Sequence, residues 1–246
     1  NDTLEQAQIN KKELISKKLI LEEDQSVLDI GCGWGGMAAH IYKKSNASVV
    51  GVTLSEEQYA YANQRKINEK LNKVEYRLQD YRNVNETYDR IVSVGMFEHV
   101  GTSHYQEFFN KVYDLLNDTG VALIHTIGRL TEPTNNDPWI EKYIFPGGYI
   151  PALSETMFRV EKSGLTLADV QVLKFHYAET LKRWRYNFYD NIDKVKELYD
   201  EKFCRMWDFY LSSSQASFEE AGLVVFQLQL SKQKKTVPDK RDYLLA

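Results

Sequence analysis

The sequence predicts an α/β fold, a doubly wound and mostly parallel seven-stranded sheet with a helical cover. Three observations carry this. Strand-like runs alternate with helix-like stretches along the first half of the 246 residues, the pattern of a parallel sheet with helices on both faces. The segment VLDIGCGWGG, residues 27–36, sets three alternating glycines just after a short apolar run. Glycines let a backbone turn sharply and approach a ligand, and strand ends are where doubly wound sheets bind. Two late strand-like runs, Thr166–Phe175 and Leu223–Leu230, flank a long aromatic helical region at about Thr180–Ala221.

The elements follow in order. Thr3 with Gln6 has the form of a capping box and opens an amphipathic helix to about Leu21, with Leu14, Ile15 and Leu19 on one face. Ser26–Ile30, Ser48–Val52, Val74–Gln79, Arg90–Val94 and Val121–Thr126 read as strands. Gly36–Lys44, Ser55–Leu71 and Ser103–Leu116 between them read as helices. Gly128–Pro151, rich in Pro, Gly and Asn, is long for a connection in a compact domain and reads as a functional lid. There is no internal repeat and no low-complexity segment.

Composition narrows the function classes. A chain of this length buries roughly 70–75% of its unfolded surface, enough for one substantial core. A net charge of −4 argues against nucleic acid as a partner, because such binders are usually basic. Cys32 and Cys204 are the only cysteines, so there is no disulfide framework or zinc pattern, no metal is expected, and a reducing cytoplasm fits. No apolar run reaches the ~18 residues of a membrane span, and no signal peptide is visible. Sixteen Tyr, eleven Phe and four Trp serve either core packing or an apolar substrate channel.

The glycine segment has the spacing G-x-G-x-G with Asp29 two residues ahead, not the G-x-G-x-x-G of a dinucleotide site. This resembles motif I of the class I S-adenosylmethionine methyltransferases, whose glycines pass under the methionine part of the cofactor. The second strand ends in Gly51-Val52-Thr53-Leu54-Ser55, with no carboxylate where that class usually binds the ribose; Thr53 with Gln58 is the substitute. Asp80 and Tyr81 follow the third strand, where the class commonly holds the adenine. The resemblance therefore implies a cofactor site made of Asp29, Gly31, Gly33, Trp34, Gly35, Thr53, Leu54, Ser55, Gln58, Asp80 and Tyr81. The plainer reading is a glycine turn that serves packing alone.

A more specific set of motifs follows: GMFEHVG (95–101), LIHTIG (123–128), DPWIEKYIFPGGYIP (137–151) and HYAETLKRW (176–184). With GCGWGG and GVTLSEEQ, they closely resemble the cyclopropane-fatty-acyl-phospholipid synthases and the related mycolic acid cyclopropane synthases, from about Thr3 to Leu230. That resemblance implies a Rossmann-like catalytic domain over 1–246, with an acyl-chain cover at about 128–165 and 180–221. It implies methylene transfer from S-adenosylmethionine to a cis double bond of an unsaturated phospholipid chain, through a carbocation deprotonated by bound bicarbonate. The residues matching the bicarbonate cradle are Glu98, His125, Tyr177, Cys32 and Ile127, the last two through their backbone. It implies peripheral association with the membrane surface and allows a homodimer. The chain opens on Asn1, and the family's upstream YSCAY-type segment and smaller amino-terminal domain are expected to lie outside it. Where the family often has a late-helix cysteine this chain has Ser214, which excludes thiol catalysis there.

The residue chemistry agrees with that assignment. An alkene is a weak nucleophile, so orientation against a sulfonium supplies much of the rate. Bicarbonate both donates and accepts, so it needs a carboxylate as well as N–H and O–H donors. Water must be excluded or the cation is hydrated, and aromatic faces attract cations; Tyr143, Phe145, Tyr149 and Trp184 are candidates for such walls. Trp184, Tyr186, Phe188, Tyr189, Phe203, Met206, Trp207, Phe209 and Tyr210 build either the channel or an ordinary core. Lys182, Arg183 and Arg185 suit anionic headgroups or form a solvated face. Each site residue also has a structural reading: Glu98 as a helix-end carboxylate, His125 and Tyr177 as packing, Cys32 as a small buried apolar group. His99 and His104 read as structural or surface residues.

Methyl transfer that leaves a branched or methylidene chain, an acyl-carrier substrate, and a non-catalytic S-adenosylmethionine- or membrane-binding module are the competing readings.

Overall fold

The computed structural model describes residues 2–245. Thr3 caps α1 (Leu4–Lys18), its Oγ1 accepting from the Gln6 N–H at 3.2 Å and filling one of the donors a helix start leaves open. α1 ends earlier than its apolar spacing predicts, because the chain turns through a left-handed Ile20 (φ 52°). Then β1 (Ser26–Ile30), α2 (Gly36–Ser45), β2 (Ser48–Thr53), α3 (Glu56–Asn68), β3 (Val74–Leu78) and β4 (Tyr88–Val94) alternate as expected. α4 (Tyr105–Leu115) leads directly into β5 (Leu116–Arg129), which continues past Thr126 because Ile127, Gly128 and Arg129 pair with residues 223–225.

Two short helices, α5 (Pro138–Tyr143) and α6 (Leu153–Ser163), precede β6 (Thr166–Leu173). The aromatic region begins at His176 and divides into α7 (His176–Asp190), α8 (Ile192–Leu198) and α9 (Glu201–Glu220) before β7 (Leu223–Ser231). The sheet runs β3-β2-β1-β4-β5-β7-β6, with β7 antiparallel to both its neighbours. Strand order reverses between β1 and β4, which opens a crevice at their carboxyl ends.

Apolar clusters cover both faces. Ile15, Leu19, Met37, Ile41 and Ala62 pack from α1, α2 and α3 on one side. Phe108, Phe109, Val112 and Val160 pack from α4 and α6 on the other. α6 therefore belongs to the sheet's helical layer, and within 128–165 the part that can roof a site is α5 with its flanking loops. A third cluster joins α7 and α9 to Ile127, Trp139 and Ile144. No helix among the described residues is long and apolar enough to cross a membrane.

Candidate active site

The glycine turn sits at the carboxyl end of β1. Gly33 and Gly35 both have positive φ (54° and 76°), which only glycine adopts freely. A Cβ on Gly35 would meet Tyr76 Oη at 2.5 Å, whereas a Cβ on Gly33 would meet nothing within 4 Å. One glycine is thus required by packing, and the other leaves open space beside the turn. Trp34 stands over the turn, half exposed, with its ring edge-on to Tyr61 at 5.4 Å.

Asp29 is 1% exposed and supports the turn from behind. Burial raises its pKa from the usual 3.8 to about 7 against a smaller opposing effect of the Ala38 N–H. Folded protein therefore holds a proton that unfolded chain releases, so this stabilisation is complete below about pH 4 and is lost as pH rises through 7. Asp29→Asn is expected to flatten that dependence. The drop in Tm between pH 4 and pH 8 should shrink, by an amount equivalent to a few kcal/mol, in thermal melts; an unchanged slope would refute it.

At the end of β2, Thr53 donates its hydroxyl to Gln58 Oε1 at 2.8 Å and accepts from the Ser55 N–H at 3.2 Å. Ser55 caps α3. This leaves the Gln58 amide N–H2 as the group able to meet a ribose, while Leu54 points outward, 72% exposed. The Asp80 carboxylate is held by Arg82, with Nη2 at 2.6 Å, and that cation keeps its pKa below the ordinary range. Tyr81 beside it is half-buried against Phe108.

After β4 the chain enters a 3₁₀ turn, Phe97–His99. Phe97 is wholly buried and stacks on Tyr105 at 4.2 Å, which aims Glu98 back over the sheet. Glu98 Oε1 accepts from the Ile127 N–H at 2.6 Å; its Oε2 is buried and has no hydrogen-bond partner among the described residues. Burial raises the Glu98 pKa, and its backbone hydrogen bonds oppose the rise. His125 Nδ1 lies 3.1 Å from Gln227 Nε2, and burial lowers its pKa to about 3. Tyr177, in the first turn of α7, feels the charge of Glu98, and burial raises its pKa. Glu98 is thus tied to β5 through Ile127, Tyr177 of α7 lies within reach of its charge, and His125 stands two residues before Ile127 on the same strand.

Cys32 and Ile127 have different work from that expected. The Cys32 N–H donates to Val52 O and its carbonyl accepts from the Gly35 N–H, both at 3.0 Å. Its thiol lies in the core beside Gly51, with its pKa raised by burial. The Ile127 N–H is committed to Glu98. Both residues support the site instead of offering free donors to a ligand.

The roof was only partly legible. Trp139 from α5 meets Phe209 edge-on at 4.7 Å, and Phe145 meets Tyr210 at 5.9 Å. Tyr177 packs Phe218 at 5.0 Å and Trp184 at 6.0 Å. The loop is also tied below: the Tyr149 N–H donates to Glu98 O at 2.9 Å, and Asn136 donates to Gly148 O. Gln227 and Asn136 were not foreseen; a polar residue within the apolar run of β7 was the available signal for the first.

A Rossmann-like sheet with a positive-φ glycine turn at its switch point and a buried carboxylate with one free oxygen beside an aromatic roof defines a protein of the class I methyltransferase type. The family model for mycolic acid cyclopropane synthetase matches residues 1–228, and the chain belongs to that family. It is 40% identical over 231 residues to the cyclopropane-fatty-acyl-phospholipid synthase of Escherichia coli K12, covering 94% of this chain and 59% of that protein. It is 34% identical to a probable fatty acid methyltransferase of Pseudomonas putida, covering 93% of this chain and 60% of that one. The chain thus spans about three-fifths of these curated relatives. Among solved structures, mycolic acid cyclopropane synthase CmaA1 complexed with SAH and CTAB superposes with a TM-score of 0.87 at 32% identity, covering 93% of this chain and 85% of that one.

Proposed function

We propose that this domain transfers a one-carbon unit from S-adenosylmethionine to the cis double bond of an unsaturated phospholipid acyl chain, closing a cyclopropane. The observation that carries the reading is the buried, unpartnered Oε2 of Glu98 beneath the aromatic roof, in a chain of this family. S-adenosylmethionine supplies an electrophilic sulfonium methyl, with the turn 31–35 and the Gln58 amide placed to hold it.

The site fits a bicarbonate ion in its donor set. Glu98 Oε2 lacks a donor, while the Tyr177 hydroxyl and one His125 nitrogen are donors without a protein acceptor, which complements an ion that donates and accepts. Bound there, bicarbonate would supply the base that takes a proton from the added methyl. The side chains' own tasks follow from their surroundings. Carboxylate charge on Glu98 favours a cation developing in the acyl chain. His125 stays neutral down to about pH 3, so it donates without opposing that cation. Tyr177 keeps its proton because burial raises its pKa. The rings of Trp139, Phe145 and Tyr210 exclude water, which would hydrate the cation, and present faces that attract it.

A membrane surface is the proposed source of the chain. Trp184, Tyr186 and Tyr189 are exposed on α7 beside Lys182 and Arg183, a composition suited to anionic headgroups. Arg185 contributes less, being paired with Asp208 at 2.7 Å.

The test is incubation with S-adenosylmethionine and anionic cis-unsaturated vesicles, followed by proton NMR of the lipid and sedimentation of the vesicles. Upfield ring-methylene signals and co-sedimentation are expected. Methyl-branch signals would replace the product, a second reading favoured by the identity to the Pseudomonas putida relative. No lipid product despite measurable S-adenosylmethionine binding would reject both.

A further inference from the structure

Gln227 lies in the middle of β7, wholly buried, in register with His125 on β5 and with Gln171 on β6. Residues in register point to the same face of a sheet, so these three side chains form one polar row across three strands. The Gln227 amide Nε2 stands 3.1 Å from His125 Nδ1, while its Oε1 is buried without a hydrogen bond.

α1 closes this face. Gln229, two residues along β7, donates to Lys18 O at 2.5 Å, and the Lys18 side chain is itself buried with Nζ unpartnered. The charges of Lys11 and Lys18 both reach His125.

A carboxamide offers a donor at one end and an acceptor at the other. In the structure the N–H2 end stands 3.1 Å from the imidazole, and the carbonyl end has no hydrogen bond among the described residues. An imidazole nitrogen that accepts from an amide carries no proton, so in the neutral ring the proton sits on the other nitrogen. We infer that Gln227 is a positioning residue that holds His125 as its Nε2–H tautomer. Nε2 makes no hydrogen bond among the described residues, so this tautomer presents an N–H to a bound anion. The other tautomer would present a lone pair and repel it. The inference rests on the proposed function only for its catalytic consequence.

The experiment is ¹⁵N NMR of the full chain labelled at histidine, with the His125 signals assigned by their loss in His125→Asn. At pH 8 Nδ1 is expected in the unprotonated range and Nε2 in the protonated range. In Gln227→Glu a carboxylate accepts from Nδ1, so Nδ1 becomes protonated, and turnover falls tenfold or more. In Gln227→Leu the tautomers mix. A protonated Nδ1 in the wild-type chain overturns the proposal whether or not any variant folds. So does a folded Gln227→Leu chain with the wild-type spectrum. Product formation is scored separately: the expected tautomer in a chain that makes no lipid product rejects the proposed function and leaves Gln227 its role. Lipid product with the opposite tautomer rejects Gln227 alone.

Discussion

Glu98→Gln is expected to lower kcat by about 10²–10⁴-fold, the usual range for a group that assists proton transfer, while leaving the fold intact. The reason lies in the two oxygens. The glutamine carbonyl still accepts from the Ile127 N–H, now met at 2.6 Å, so β5 keeps its tie to the 3₁₀ turn. The other position changes from an unpartnered acceptor to an N–H2 donor, which could not accept from the hydroxyl of the proposed bicarbonate.

Stability should move the opposite way. Burial raises the pKa of Glu98, so its contribution to stability is complete at acid pH and is lost as pH rises through the folded-state value. Glutamine has no such loss. At pH 8 the variant should melt at or above the wild-type temperature. Steady-state release of S-adenosylhomocysteine together with thermal melts reads both effects, and full turnover in the variant would reduce Glu98 to a structural tie.

The second large effect is Gly35→Val. Its backbone has φ 76° and its Cβ would fall 2.5 Å from Tyr76 Oη. Left-handed backbone for a side-chain-bearing residue costs roughly 1–2 kcal/mol, and overpacking adds about 1–3 kcal/mol. At this chain length a loss of that size lowers Tm by about 10 °C. S-adenosylhomocysteine binding should weaken at least a hundredfold in calorimetry, since the turn cannot keep its path. Gly33→Ala is the contrast. Nothing lies within 4 Å of its Cβ, so Tm should fall by only a few degrees while affinity still drops. Unchanged S-adenosylhomocysteine affinity in Gly33→Ala would mean that the open side of the turn has no ligand-facing role.

Much of this architecture was legible because its signals are local. Thr3 and Ser55 cap the helices they were expected to open, and the apolar strands β1 to β4 match their sequence runs to within about two residues. Beyond Thr126 the signal becomes non-local: β5 extends because Leu223–Val225 lie alongside it. The same holds in the site. Glu98 was recognisable from its motif, but the commitment of its Oε1 to Ile127 depends on a residue 29 positions away. Gln227 reaches His125 across 102 positions, and a glutamine in an apolar run announces no partner. The Asp80–Arg82 pair is local, two positions apart, and is compatible with the spacing alone.

One hydrogen bond of the loop has a mechanical consequence. The Tyr149 N–H grips the main-chain carbonyl of Glu98, the residue whose carboxylate faces the site. The loop and the residue it grips are therefore one mechanical unit: any displacement of the backbone at Tyr149 either breaks this bond or carries Glu98 with it.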